Sequence, residues 1–80
     1  MSTNLFWRPI ESGKSLSYPL KRIFKEMGYF GNSNKATLSF NQMEFLKGLK
    51  YGSSDEVVIC EVDTLIDAIE HYGEIEIYEQ

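Results

Sequence analysis

The sequence predicts an α+β domain: a small two- or three-stranded sheet containing both terminal strands, covered by three helices. Three observations predict it. The closing segment EIEIYEQ, residues 74–80, alternates polar and apolar side chains and sets Ile75 and Ile77 on one face, as in a half-buried strand. The opening segment NLFWRPI, residues 4–10, is rich in aromatic and branched side chains that favour strands. Between them, apolar residues recur at helical spacing in three separate stripes. A sheet holding both ends under a layer of helices buries all of these faces at once.

Each element follows in order. In the first strand, Leu5, Trp7 and Pro9 share one face, and Phe6, Arg8 and Ile10 the other. Pro9 has no amide to give a ladder, which places it at the strand's end or on an edge. The turn-rich ESGKS, residues 11–15, leads to a first helix capped by Ser17, because that cap puts Pro19 in the first turn, where no amide is needed. Leu20, Ile23, Phe24 and Met27 form its stripe, with Lys21, Arg22 and Lys25 on the solvent side and Gly28 as the stop. A loop over 28–35 precedes a short strand at Ala36–Leu38. Ser39 and Gln42 have capping-box spacing for a second helix, in which Phe45, Leu46 and Leu49 face inward and which Gly52 ends. Residues 57–62, VVICEV, fit a strand by β-branching and an irregular lead-in equally well. A third helix capped by Asp63 carries Leu65, Ile66, Ile69 and Tyr72 on one face, and Gly73 stops it. The expected helical core is Leu20, Ile23, Phe24, Leu46, Leu49, Leu65, Ile66 and Ile69, with Trp7, Ile75 and Ile77 facing it from the sheet.

Eighty residues make one domain, 1–80, with a thin core and little room for a deep cleft. A single cysteine, Cys60, forbids an internal disulfide and favours a reducing, cytoplasmic setting. No secretory leader pattern and no membrane-length apolar run are present, so a soluble protein without membrane contact is expected.

The charge is segregated. Residues 1–50 hold all eight Lys and Arg against three Glu, a net +5, whereas residues 51–80 hold nine Asp and Glu and no Lys or Arg, a net −9. Either the halves attract each other inside the fold, or each sign meets a different partner.

Catalytic chemistry finds little support. Cys60 lies in an apolar run, where an inert buried thiol is the default, and His71 is the only histidine. Asp67 and His71, spaced i, i+4 with Asp63 a turn earlier, make a poor metal set without a second histidine. Asp63, Asp67 and Glu70 share one stripe rather than flanking a cleft. Gly13-Lys14-Ser15 resembles the tail of a phosphate loop, but Arg8 stands where the first glycine belongs. The expectation is no enzyme, no metal and no cofactor.

The combination of LFWRP (5–9), SLSYPLK (15–21), FLKGL (45–49) and LIDAIEHYGEIEI (65–77) resembles a group of small uncharacterised bacterial and phage proteins. The chain departs from them at SSDEVVICEV, longer than the tight turn expected there. The resemblance implies a free-standing domain carried by mobile elements, for which binding or inhibiting a host protein is a natural task; it implies no activity.

The expected function is a non-catalytic protein-interaction module with an unidentified protein partner, since a core this small cannot hide every aromatic side chain. Two alternatives use the charge: nucleic-acid binding through Arg8, Lys21, Arg22 and Lys25 with Trp7 and Tyr18 as stacking surfaces, or mimicry of a phosphate backbone by Asp63, Asp67, Glu70, Glu74 and Glu76. The overall acidity makes nucleic acid the less favoured partner. A homo-oligomer is compatible with all of this.

Overall fold

In a computed structural model, residues 4–8, 15–31 and 33–80 are described. Pro9, Ile10 and all of the expected turn at 11–15 except Ser15 lie outside them. Three strands, β1 (Leu5–Arg8), β2 (Lys35–Ser39) and β3 (Glu74–Glu79), form an antiparallel sheet in the order β1-β3-β2. The C-terminal strand is therefore central, with Trp7 opposite Ile77 on one side and Leu38 opposite Ile75 on the other. Helices α1 (Tyr18–Glu26), α2 (Met43–Gly52) and α3 (Glu56–Tyr72) cover one face. Leu5, Trp7, Leu38, Ile75 and Ile77 are buried beneath them with Leu20, Phe24, Leu46, Leu65, Ile66 and Ile69.

The local rules act where the sequence places them. Ser17 is the N-cap residue of α1, with Pro19 in the first turn. Its hydroxyl does not cap the helix but donates to Glu61 Oε1, while its N–H donates to Glu61 Oε2 at 2.8 Å. Ser39 and Gln42 do form a capping box: Gln42 Oε1 accepts from the Ser39 N–H at 2.8 Å, and Ser39 Oγ accepts from the Asn41 N–H at 3.3 Å. The box opens a single 3-10 turn, Phe40–Gln42, that feeds α2. At Gly73 the backbone takes φ +87°, open to glycine at little cost, which lets the chain pass from α3 directly into β3.

Helix α3 corrects the sequence reading. Its N-cap is Asp55, not Asp63: Asp55 Oδ1 accepts from the Val57 N–H at 2.9 Å and the Val58 N–H at 3.4 Å. Residues 57–62 are thus two helical turns, neither strand nor irregular lead-in. Val58 and Val62 extend the stripe of Leu65, Ile66 and Ile69, and their burial outweighs the modest helix penalty of β-branching. Helical phase turns Cys60 outward, so the expected buried thiol is exposed.

Five apolar residues of the stripes are less covered than their spacing suggests, Phe45 among them as a half-buried ring. Ile23 and Leu49 are half-buried because they floor a shallow groove over which Gly48 and Gly52 extend no side chain. Met27 and Tyr72, at the ends of their helices, are exposed.

Both sheet edges are partly occupied. Along β1, the Leu16 N–H donates to the Leu5 C=O at 2.6 Å. Along β2, the Lys35 N–H donates to Ser33 Oγ at 3.3 Å, and the Ser39 N–H is held by Gln42. No described helix is long and apolar enough to cross a membrane.

Candidate functional site

The face of the sheet turned away from the helices is covered by no described element. Strand alternation dictates its membership, since residues of one parity are buried and the other parity must point out. Register then arranges them in rows: Phe6, Tyr78 and Lys35 side by side, next Arg8, Glu76 and Thr37, and last Glu74 beside Ser39. Lys35, Thr37, Glu74 and Arg8 are exposed, and Phe6, Glu76 and Tyr78 are half-buried by one another.

These side chains hold each other in place. The Phe6 and Tyr78 rings stack with centroids 5.8 Å apart and planes 24° from parallel. The Arg8 guanidinium carbon sits 4.0 Å from the centroid of the Tyr78 ring, a cation–π contact, while Arg8 Nε donates to Glu76 Oε1 at 2.9 Å. Beyond this cluster, Arg8, Thr37, Tyr72, Glu74, Ile75 and Glu76 line a shallow depression of about 350 Å³. It is too open to sequester a small molecule from water, and suits a side chain presented by another surface.

The basic surface anticipated from the sequence is largely engaged within the fold, the acidic one only in part. Three of the four ion pairs among the described residues join the basic part of the chain to the acidic part: Arg8 to Glu76, Lys25 to Glu79 at 2.7 Å, and Lys50 to Asp63 at 2.7 Å. On α1, Arg22 is taken by Glu26 at 2.9 Å, a bond that raises the guanidinium pKa further above its ordinary value. Lys50 is likewise raised by its hydrogen bond to Asp63. Tyr18, Lys21, Arg22 and Lys25 do share one side of α1, with Tyr18 71% exposed, but the cations there already have partners.

Asp67 and Glu70 on α3 are exposed and, with Glu56 of α3 and Glu74 of β3, stand in no ion pair among the described residues. Trp7 is the misplaced member of the sequence-derived set. At 9% exposure it belongs to the core, and its neighbour Phe6 is the surface aromatic. The parity rule had already put Phe6 with Arg8, but only the pairing of β3 with β1 reveals that Tyr78 joins them.

The one thiol and the one imidazole do not converge. Cys60 and His71 lie eleven residues apart on α3, about 16 Å along the axis, far beyond hydrogen-bond reach. Among the described residues no three His, Cys, Asp or Glu side chains gather as metal ligands. No protein-family model, curated protein or solved structure matches the chain.

Proposed function

We propose that this chain is a small non-catalytic protein-interaction module that makes contact through the open face of its sheet. One observation carries the reading: the prearranged cluster of Phe6, Tyr78 and Arg8 on a face no described element covers. Aromatic and arginine side chains dominate the energetics of protein interfaces, and a cluster already held in one geometry loses little entropy on docking. The likeness to small phage and mobile-element proteins makes an accessory role, binding or inhibiting a host protein, the biological setting of this proposal.

The nucleic-acid alternative is weakened on two counts. The α1 cations are engaged by Glu26 and Glu79, and Glu74 and Glu76 flank the stacked rings where phosphates would pass. The acidic-mimic alternative retains Asp67 and Glu70, but Asp63 and Glu76 are neutralised by Lys50 and Arg8.

The test expresses tagged and untagged copies together in the native host and recovers the tagged chain with and without nuclease. A protein retained after nuclease treatment, lost with Tyr78→Ser and kept with Asp67→Lys/Glu70→Lys, is the expected result. Recovery that disappears with nuclease, or that follows the α3 reversal instead of Tyr78, overturns the proposal.

A further inference from the structure

Resting on the proposed role of the open sheet face, we infer that its partner is a second copy of this chain, packed sheet to sheet about a two-fold axis. The charge of the face points there. Among the described residues it carries two cations, Arg8 and Lys35, and two carboxylates, Glu74 and Glu76, a balance of zero on a chain whose net charge is −4. Elsewhere two copies repel; here they do not. A partner of strong single sign, a basic protein or a nucleic acid, gains nothing from a balanced face.

The layout is self-complementary. An axis lying in the interface, perpendicular to the strands and passing through the row of Arg8 and Glu76, carries the first row of one copy onto the last row of the other. Tyr78 then lies over Glu74 of the second copy, and its hydroxyl meets a carboxylate. Lys35 lies over Ser39, one strand spacing of about 4.8 Å from that same Glu74 and within reach of a lysine side chain. Neither Lys35 nor Glu74 stands in an ion pair within its own chain, among the described residues. The row on the axis meets itself, but there each Arg8 is already neutralised by its own Glu76 at 2.9 Å.

The outward amides at both ends of β2 are taken by Ser33 and Gln42, which favours stacking over edge-to-edge pairing along that strand. Three short strands bury less than the roughly 800 Å² per partner of a standard interface, so the dimer is weak, with a dissociation constant on the order of tens of micromolar.

Sedimentation equilibrium on the full chain, from about 1 µM to about 1 mM, brackets that affinity. The average mass should rise with concentration toward twice that of one chain. Lys35→Glu and Glu74→Lys should each weaken association by about tenfold or more. An equimolar mixture of the two should restore it, because both intermolecular contacts are then between opposite charges. Both residues are exposed, and unchanged thermal melts at low concentration check that the variants fold. A wild-type chain that stays monomeric throughout, a dimer indifferent to both reversals, or weakening without rescue on mixing overturns the inference. If a monomeric wild type still captures a host protein in a Tyr78-dependent way, the self-association fails while the interaction role stands. If Tyr78→Ser changes neither association nor capture, both fail.

Discussion

The start of α3 can be tested by making the same substitution at two positions five residues apart. Val62 is fully buried, whereas Val57 is 56% exposed. Val62→Ala removes two carbons from the core, about 1.6 kcal/mol of transfer free energy at about 0.8 kcal/mol each. The residual cavity adds to this, because neighbours relax only in part, and the total comes to about 2–3 kcal/mol. Val57→Ala removes the same atoms from solvent and replaces a β-branched residue by the best helix former, so its effect is near zero or slightly stabilising. A domain of this length has a stability of about 4–12 kcal/mol. Taking a urea slope of about 1 kcal/mol/M, Val62→Ala should lower the midpoint by about 2–3 M and Val57→Ala should leave it nearly unchanged. Equal shifts, or a larger one at Val57, would mean that the helical phase of residues 56–62 is wrong.

The remaining expectations concern single groups. Cys60 should react with a thiol reagent in the native protein nearly as fast as in urea, since the α3 phase exposes it; strong native protection would place it in the core. Glu61→Ala removes both acceptors of the Ser17 N–H and hydroxyl and should cost about 1–2 kcal/mol in a urea melt, with Ser17→Ala costing less because it leaves the amide bond in place. Burial against Phe24 and Phe45 raises the Tyr29 pKa above its ordinary value of 10.0. The folded state thus holds that proton more tightly than the unfolded state: the contribution is whole below pH 10 and is lost as pH rises through the folded pKa. Thermal melts should show Tyr29→Phe losing less stability than wild type as pH rises above about 10.

What the sequence determined by itself was whatever rests on a few neighbouring residues. Alternation alone placed Ile75 and Ile77 inward on a closing strand, and helical spacing alone found the inner faces of α1, α2 and most of α3. Pro19 located the start of α1, since only a first-turn position tolerates its missing amide, and the box of Ser39 and Gln42 is complete within four residues. The segment 57–62 was not legible in this way. Val57, Val58, Ile59 and Val62 favour a strand locally, and the free energy that makes them helical comes from burying Val58 and Val62 in a core assembled from distant parts of the chain.

The same separation in sequence governed the candidate surface. Parity put Phe6 beside Arg8, and Glu76 in phase with Tyr78, but no local pattern says that the last strand lies between the other two. Nor does one say that Arg8 is aligned with Glu76, 68 residues further along the chain. That strand order turns a segregated charge pattern into internal ion pairs and brings an aromatic from each end of the chain into one stack. Hydrogen-bond register is a long-range property, since the central strand must satisfy its backbone groups on both sides, and the tertiary structure alone decides which side chains thereby become neighbours.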